Sequence, residues 1–390
     1  MDFKGEKMKI TKKVKQKYKN YTKFFFDIWK ASKLESKKAN MNRIRIYLDI
    51  LWQRMAYSFI VLDYQTLGFA YVRDRKKRKE YLMPKQWQEI DKSLNDFTIS
   101  GYNYYSKLDS VRCLKSLFRR DILIIDDSTA EDIEAFMTKN KECFAKVDVG
   151  YGGLGVEKLN YSDFSGIDEF MRYIKEKKYA ILEEVIKQHP DVSKLSPTSI
   201  NTIRMTTLTD PDGKIHFLQH IIRMSDGTSN VDNITSGGIY AFVNRDGMIT
   251  SDVATGDNMS YDSRGDIIYE KHPLTKIPFK GYKIPFIKEA EDLVEKGCKI
   301  NPHYKYLGWD MAITPDGPDI VEVNNSPGYD MIQNYHHVKG DMKGNAHTFE
   351  EILGIKFNRK NIIFNRGSSM SLKRPEYEKT YQNNKKNGFV

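Results

Sequence analysis

Two acidic residues and an asparagine lie within two apolar runs near the C-terminal end of the sequence. Asp310 lies in the first run, and Glu322 and Asn324 lie two residues apart in the second. The segment Pro315-Asp316-Gly317-Pro318 between the runs is typical of a tight turn, so the runs are predicted to form a β-hairpin. Side chains alternate across a strand, which places the three oxygen donors on one face. Magnesium binds such ligands together with substrate phosphates. The pattern indicates a metal site, with a solvated polar face of an edge hairpin as the alternative.

A lysine followed by glycines forms a second candidate site. Lys146 ends a predicted strand, and residues 150–155 contain four glycines, with Gly152 and Gly153 at the centre. The backbone N–H groups of such a loop can surround phosphate oxygens while the lysine ammonium group neutralises their charge. The segment is not a Walker loop, since no Gly-Lys-Ser/Thr follows. We interpret it as a phosphate-binding loop, with a plain hairpin turn as the alternative.

Short β-rich runs and well-separated helices must position these residues. The predicted strands are Glu142–Val147, Ala180–Glu184, Ile200–Thr209, Lys214–Met224, Ile239–Val243, Gly308–Thr314 and Asp319–Asn324. The predicted helices are Ala130–Lys139, Ile167–Lys177 and Phe286–Cys298. This alternation indicates an α+β or α/β protein with more than one sheet.

Residues 21–95 are predicted to be mostly helical. Apolar residues recur there at three- and four-residue steps: Phe24, Phe25, Ile28 and Trp29, then Ile44, Leu48, Leu51, Trp52 and Met55. We expect these faces to pack on the body of the protein, as apolar stripes usually do. A location of residues 24–29 on a membrane surface, beside the lysine-rich start of the chain, is the alternative.

The positive charge is concentrated at the two ends of the sequence. Of the formal net charge of +11, residues 1–20 contribute +6 and residues 356–390 contribute +7, so the body carries −2. The body therefore lacks the basic excess of a dedicated nucleic-acid-binding domain. Its three cysteines form no close pair, which argues against a zinc knuckle or a disulfide framework. With no apolar run near the roughly 18 residues of a membrane span and no signal-peptide pattern, a cytoplasmic location is expected.

In the order of its motifs the sequence resembles the ATP-grasp superfamily, most closely the branch associated with sugar transfer and surface polysaccharide synthesis. The resemblance covers roughly residues 100–335, and its most specific part is the run from Glu322 to Gly328. The segments 197–204 and 231–238 are similar to the sugar-transfer branch in particular.

The resemblance implies an α+β ATP-grasp fold, in which two subdomains clasp ATP. It places the ATP-grasp region at residues 96–355, with a nucleotide-clasping subdomain at about 120–190 and a magnesium-binding subdomain at 191–355. The ATP-grasp region is preceded by a helical region at residues 21–95. A basic arm at residues 1–20 begins the sequence, and a basic tail at residues 356–390 ends it.

The resemblance also implies roles for individual residues. The nucleotide-binding residues would be Lys146, Gly152, Gly153 and the adenine hinge Glu183, Glu184, Val185 and Ile186. The metal ligands would be Asp310, Glu322 and Asn324, holding Mg²⁺ or alternatively Mn²⁺. A second nucleotide lysine would be Lys107, for which Lys115 competes.

Three further residues resemble catalytic positions of ATP-grasp ligases. Arg223 matches a basic residue used against the β- and γ-phosphates, and Asn233 begins an Asn-x-x-x-Gly-Gly element of peptide-forming members. One departure is present: D-alanine:D-alanine ligases carry an arginine two residues before the magnesium aspartate, where this sequence has Gly308. Arg204 is the expected substitute.

The implied activity is that of an ADP-forming carboxylate–amine ligase that works through an acyl phosphate. Its substrates would be a small-molecule or sugar-linked carboxylate and an amine, in capsule or other surface glycan synthesis. A phosphotransferase acting on a hydroxyl group is one alternative. The other is a non-catalytic scaffold held at the membrane or on nucleic acid by the basic ends. In the enzyme, the basic ends are interpreted as peripheral anchors on an anionic membrane, with a contribution to solubility alone as the alternative.

Overall fold

The computed structural model describes residues 23–149, 155–256, 267–338 and 345–358, together with 370–371, 379, 382–383 and 386. The candidate glycines Gly152 and Gly153 and most of both basic ends lie outside these residues. Within the described segments, no helix is long and apolar enough to cross a membrane.

Helices dominate the described residues from 23 to 114. They are α1 (23–38), α2 (Arg43–Tyr57), α3 (Val61–Thr66), α4 (Arg75–Arg78), α5 (Pro84–Leu94), α6 (Phe97–Ser100) and α7 (Lys107–Leu114). The side chain of Asn42 begins α2 by accepting hydrogen bonds from the backbone N–H groups of Ile44 and Arg45. A separate apolar cluster, built around Tyr64, Phe69 and Tyr81, holds the first helices together.

Helix α2 buries a different face from the predicted one. Ile46, Ile50 and Ala56 are in the core, whereas Ile44 and Leu48 are 59% and 58% exposed. The prediction that the stripe beginning at Ile44 packs on the body was therefore wrong. Three- and four-residue spacing shows which side chains share a helix face, but α2 has two apolar faces, and spacing does not select the one that meets the body.

In the described part of the chain, four antiparallel strands form a small sheet with the order β1-β4-β2-β3. These strands are β1 (Ile122–Ile124), β2 (Glu142–Lys146), β3 (Val156–Asn160) and β4 (Ile181–Glu184). Helices α8 (Ala130–Asn140) and α9 (Ile167–Glu176) follow β1 and β3. Their buried side chains, among them Phe136 and Phe170, share an apolar cluster with Ala145 and Leu182 of the sheet.

A larger antiparallel sheet has the order β10-β9-β8-β7-β5-β11-β12, with β6 paired to β5, among the described residues. Its strands are β5 (Ile203–Thr209), β6 (Ile215–Phe217), β7 (His220–Met224), β8 (Ile239–Val243), β9 (Ala254–Gly256), β10 (Ile267–Tyr269), β11 (Tyr306–Thr314) and β12 (Gly317–Asn324). The remaining elements are α10 (Pro190–Leu195), α11 (Ile287–Ile300), α12 (Tyr335–Val338), α13 (Ala346–Leu353) and the paired strands β13 (Lys356–Phe357) and β14 (Met370–Ser371). The described helices and the antiparallel sheets confirm the predicted α+β class.

The two faces of the large sheet carry separate cores. Trp309 of β11 packs in one core with Val294 of α11. A Cβ atom built on Gly297 of α11 would lie 2.4 Å from the Trp309 ring, so only glycine leaves room for the indole there. Residues of α5 and α13 form the second core, on Tyr306 and Phe242.

Two details of the large sheet differ from the sequence prediction. The predicted strand Lys214–Met224 is interrupted between β6 and β7, where Gln219 uses its side-chain amide to donate to the backbone oxygens of His220 and Val243. Pro318, predicted to be part of the turn, lies in β12 opposite Ile313.

A buried ion-pair network joins the two sheets. Arg120, just before β1, donates to Glu183 Oε2 of β4 at 2.8 and 3.0 Å and to Asp319 Oδ2 of β12 at 2.8 Å. Lys146 Nζ lies 2.8 Å from the same Glu183 oxygen. Burial alone would raise the pKa of Glu183, but the charges of Lys146 and Arg120 hold it below its usual value. Both sheets therefore depend on one guanidinium group for their charge balance.

We predict that Arg120→Ala lowers the free energy of unfolding by about 3–5 kcal/mol, because it leaves buried carboxylates without their partner. Arg112→Ala is the matched control, since Arg112 lies 2.9 Å from Asp127 in a pair whose side chains are 42% and 53% exposed. Such a pair contributes about 0–1 kcal/mol. Urea unfolding of both variants measures the difference, and equal losses would contradict the role of the network.

His337 of α12 provides a pH-dependent contribution to stability. Its ring lies 2.9 Å from Ser251 Oγ and 2.8 Å from Thr255 Oγ1 and stacks on Phe242. Burial, with a smaller effect of His336, lowers its pKa to about 3. The unfolded chain, where a histidine has a pKa near 6.5, therefore binds the proton more readily, so stability is complete above that pH and falls as the pH decreases towards 3.

We predict that His337 makes the protein about 1–2 kcal/mol less stable at pH 5 than at pH 8. His337→Gln should reduce this difference, while His347→Gln should leave it unchanged, because the His347 side chain is 65% exposed. Urea midpoints at the two pH values provide the comparison. An unchanged pH dependence in His337→Gln would show that other groups are responsible.

Candidate functional site

A cavity of about 590 Å³ lies between the small sheet and the large sheet. Lys107 of α7, Lys146 of β2 and Glu183 of β4 line it on one side, and Glu322 and Asn324 of β12 line it on the other. The structure thus brings together five residues that the sequence singled out from separate segments. Cationic side chains face a carboxylate and an amide across the cavity.

Apolar side chains complete the cavity wall. They include Val111, Leu114, Phe144 and Val156. A pocket that combines such a lining with a few charged groups is typical of sites for small organic ligands. Its volume is in the range for such ligands, roughly 300–1,000 Å³.

Lys107 is better placed than Lys115 to meet a ligand in this cavity. Lys107 begins α7, and its Nζ atom lies 3.9 Å from Glu322 Oε1. Lys115 is exposed in the turn that follows α7 and is outside the cavity lining. The geometry therefore favours Lys107 as the second nucleotide lysine.

The β11–β12 hairpin places Asp310 directly opposite Glu322. A β-bulge follows this pair, because Met311 is opposite Ile320 and leaves Val321 as the extra residue. Asp310 is 3% exposed, while the Glu322 side chain is 46% exposed in the cleft. The predicted hairpin is present, but its two carboxylates occupy very different surroundings.

Two arginines neutralise Asp310. Arg204 of β5 donates to both carboxylate oxygens, at 2.5 and 3.0 Å, and Arg223 Nη2 of β7 lies 2.9 Å from Oδ2. Asn324 Nδ2 approaches the same oxygen at 3.4 Å. Burial alone would raise the pKa of Asp310, but the two guanidinium groups hold it below its usual value. Asp310 is therefore ionised.

Glu322 has the opposite balance of charges. Burial and the charge of Asp310 raise its pKa, and Lys107 and Lys146 offset only part of this effect. A divalent cation between the two carboxylates would remove their repulsion, and Asn324 would add a neutral oxygen ligand. No group of three or more His, Cys, Asp or Glu side chains suited to a metal is present among the described residues. These three side chains therefore fit Mg²⁺ only as a partial shell, which phosphate oxygens and water would complete.

Arg204 occupies the space beside Gly308. A Cβ atom on Gly308 would lie 3.4 Å from Arg204 Cδ and 2.9 Å from Pro327 Cβ. Arg204 also pairs with Asp310 across strands β5 and β11. Arg204 from the neighbouring strand thus lies beside the position two residues before Asp310, and its role as the substitute for an arginine there stays a prediction.

Arg223 and Asn233 lie near Asp310 and outside the lining of the cavity. Arg223 donates to Thr202 Oγ1 at 2.7 Å and lies 3.6 Å from Asp232 Oδ2. The backbone oxygen of the next residue, Asn233, accepts hydrogen bonds from the N–H groups of Ser236 and Gly238. The loop between β7 and β8 is thereby held beside Arg223.

The side chains of the predicted adenine hinge have partners within the protein. The carboxylate of Glu183 is occupied by Arg120 and Lys146, and Glu184 Oε2 accepts the backbone N–H of Asp121. Val185 and Ile186 follow β4 and are not part of the cavity lining. The role of residues 183–186 in binding a base stays a prediction.

Sequence reasoning missed a face of α5 that holds the loop after β12. Trp87 Nε1 donates to Pro327 O at 2.8 Å, Asp91 Oδ2 accepts from Ser326 Oγ at 2.8 Å, and Asn95 Nδ2 donates to the backbone oxygen of Asn325 at 2.5 Å. Burial raises the pKa of Asp91 to about 7. Trp87, Asp91 and Asn95 follow one another at four-residue steps along α5 and its C-terminal end. This spacing was the signal that could have identified them in the sequence.

The comparisons with known proteins agree with this architecture. The family model described as sugar-transfer associated ATP-grasp matches residues 164–341. No curated protein is significantly similar to the sequence.

Several solved structures of ATP-grasp ligases and related synthetases are similar at low identity. A D-alanyl-alanine synthetase A from Vibrio cholerae is 11% identical, covers 61% of each chain and gives a TM-score of 0.37. The ATP-grasp ligase PsnB, complexed with a precursor variant, Mg and ADP, is 13% identical over 67% of this chain and 57% of its own, with a TM-score of 0.35. An N5-carboxyaminoimidazole synthetase from Staphylococcus aureus, complexed with ADP, is 11% identical over 62% and 51%, with a TM-score of 0.34.

The matches span between 51% and 61% of the length of these three structures. The family match contains Arg204, Arg223, Asp310, Glu322 and Asn324. Residues 164–341 of this chain are therefore similar to the sugar-transfer associated ATP-grasp family.

Proposed function

We propose that this protein is an ATP- and magnesium-dependent ligase that joins a carboxylate to an amine through an acyl phosphate and releases ADP. The observation that carries the proposal is the cavity between the sheets, where Lys107 and Lys146 face Glu322 and Asn324. Phosphoryl transfer requires positioning and charge neutralisation more than covalent help from the protein, and this arrangement provides both.

The two lysines neutralise the phosphates of ATP, and the apolar lining accommodates the adenine ring. Backbone groups of residues 183–186 hold the edge of the base. Gly152 and Gly153, which the sequence predicts to bind phosphate through backbone N–H groups, lie outside the described residues. The cavity lining supports ATP as the nucleotide, because lysines are available for the phosphates and apolar side chains are available for the adenine ring.

Asp310, Glu322 and Asn324 would hold Mg²⁺, for which Mn²⁺ is an alternative. The ion, when bound, supplies positive charge to the β- and γ-phosphate oxygens. Arg204 and Arg223 fix the orientation of Asp310 through the contacts described above. They also keep this carboxylate ionised, which is the form that binds a cation.

The reaction begins when an oxygen of the substrate carboxylate attacks the γ-phosphorus atom. The bond from this phosphorus to the bridging oxygen breaks, and ADP leaves with the electron pair. The amine then attacks the acyl carbon, phosphate leaves, and the nitrogen loses a proton. By their resemblance to catalytic positions of ATP-grasp ligases, Arg204, Arg223 and Asn233 would stabilise the charge of the acyl phosphate.

The family name, together with the segments 197–204 and 231–238, supports a sugar-linked carboxylate as one substrate. We propose a sugar or glycan precursor of a surface polysaccharide, such as a capsule, and an amino acid or similar amine. The body of the protein lacks a basic excess, so nucleic acid is not expected as a substrate. The reaction would take place in the cytoplasm, where ATP is available.

A product analysis tests the proposal. The protein is incubated with ATP, Mg²⁺, a panel of uronic acids and a panel of amino acids. ADP release is measured first, and the products are then identified by mass spectrometry. The expected result is an amide, formed only when both partners are present, and a hydroxamate when hydroxylamine replaces the amine. A phosphate ester formed from a hydroxyl group would instead show a phosphotransferase, and no nucleotide turnover with any partner would favour the scaffold.

We predict that Glu322→Gln reduces magnesium-dependent ADP release to below about a tenth of wild type, because it removes the negative charge of the half-exposed metal ligand. Asp310→Asn should have the same effect on activity and a further cost in stability, since Arg204 and Arg223 lose a charged partner.

Asp316→Asn is the control for these two variants. It makes the same change of charge at the exposed turn of the same hairpin and should leave activity unchanged. Circular dichroism confirms the fold of each protein. Activity of Glu322→Gln close to that of wild type would contradict the metal assignment.

We predict that Lys146→Ala weakens ATP binding by at least tenfold, because a charge-assisted contact in a partly buried site is lost. Lys158→Ala is the control, since Lys158 lies on the neighbouring strand with a side chain that is 45% exposed and paired with Glu142. Isothermal titration calorimetry measures both affinities. Equal affinities in the two variants would show that Lys146 only balances the charge of Glu183.

A further inference from the structure

An uncovered apolar stripe runs along α2. Ile44, Leu48, Trp52 and Met55 follow one another at steps of four, four and three residues and are 59%, 58%, 39% and 55% exposed. At this spacing they lie on a single face of the helix. The opposite face, with Ile46 and Ile50, is the one in the core. The stripe therefore does not take part in packing α2 against the protein core.

Helix α1 adds aromatic side chains beside this stripe. Phe25, Phe26 and Trp29 are 46%, 55% and 41% exposed. Contacts between Trp29 and Tyr47, with ring centroids 5.5 Å apart, show that α1 and α2 pack side by side. Exposed apolar groups gathered on one surface mark an interaction site, whereas single exposed apolar residues are ordinary.

The charges around the stripe are strongly one-sided. Residues 1–57 contain sixteen lysines and arginines against five acidic residues. Two of these acids are engaged within the protein, since Glu35 pairs with Lys38, and Asp49 pairs with Arg73 and Arg78. Arg43 lies over the Trp29 ring at 3.6 Å and Arg54 lies 5.8 Å from the Phe24 ring, so basic groups border the aromatic groups directly.

We propose that the outer face of α1 and α2 is a docking surface for an anionic lipid bilayer. The stripe, defined here as Ile44, Leu48, Trp52 and Met55, enters the interface between headgroups and acyl chains. The basic groups at its borders, among them Arg43 and Arg54, meet anionic headgroups. Apolar area and basic charge on one helical surface are the two features that such peripheral binding requires.

Charge selects the membrane over a second copy of this chain. Two copies that met face to face through this surface would bring together two segments that each carry a net charge of +11 in residues 1–57. Repulsion of this kind opposes a dimer and is relieved by an anionic surface. The proposal does not depend on the ligase reaction, and either can fail without the other.

Tryptophan fluorescence of the full-length protein tests the insertion. Vesicles of phosphatidylcholine with 30% phosphatidylglycerol should shift the emission to shorter wavelength, and brominated acyl chains should quench it. The double variant Trp29→Phe/Trp52→Phe should lose most of this quenching, because both exposed tryptophans of the surface are then removed and Trp309 is buried. Vesicles of phosphatidylcholine alone should bind at least tenfold more weakly.

Cosedimentation with the same vesicles tests the stripe through a matched pair of variants. Leu48→Glu should reduce binding at least tenfold, whereas Ile99→Glu, at a position 55% exposed on α6, should bind like wild type. Both substitutions are on exposed positions and should leave the urea midpoint and ADP release unchanged.

Two outcomes would overturn the proposal. Wild-type vesicle binding by Leu48→Glu, without quenching by brominated lipid, would show that the basic groups act alone. A dimer of the wild-type protein in sedimentation analysis without lipid, absent in Leu48→Glu, would show that a second copy covers the stripe.

Discussion

The burial of charge between the two sheets is the constraint on which the rest of this structure depends. An unpaired ion in such a position costs several kcal/mol, so each buried acid must meet a cation from another element. Arg120 connects Glu183 of the small sheet with Asp319 of the large one, and Arg204 joins Asp310 across two strands. The contacts of Arg120 hold the two sheets together beside the cavity, while the Arg204–Asp310 pair lies within the large sheet.

The same constraint separates the two carboxylates of the hairpin. Asp310 receives two guanidinium groups and is held ionised, whereas Glu322 has Lys107 at 3.9 Å and a raised pKa. In the absence of a cation, Glu322 therefore loses its proton less readily than Asp310. A divalent ion with its phosphate ligands would lower the pKa of Glu322 more than that of Asp310. Metal and nucleotide would consequently be expected to bind together, because each supplies charge that the other requires.

Much of this arrangement followed from the sequence, for reasons that can be traced to particular residues. The hairpin was predictable because apolar runs flank a turn-forming segment around Asp316, and Gly308 made an arginine from elsewhere necessary. The exposed Arg119 and the buried Arg120 are adjacent and chemically identical, so only the three-dimensional structure separates the surface residue from the centre of the network. The bulge after Asp310 and the exposed face of α2 could not be predicted for the same reason. The spacing of apolar residues indicates which side chains share a face, but it does not indicate what that face contacts.

The N-terminal helices connect the site to the outer surface of the protein. On their inner side, Trp87 and Asp91 hold the loop that follows Asn324, and Asp63 accepts a hydrogen bond from Tyr329 at 2.6 Å. On their outer side lies the apolar stripe of α2. Because the same folded region makes both sets of contacts, docking of the stripe on a bilayer would place the metal hairpin at a fixed height above the lipid. Such a position suits an enzyme whose sugar-linked substrate is itself held in the membrane, since the substrate then reaches the cleft by lateral diffusion.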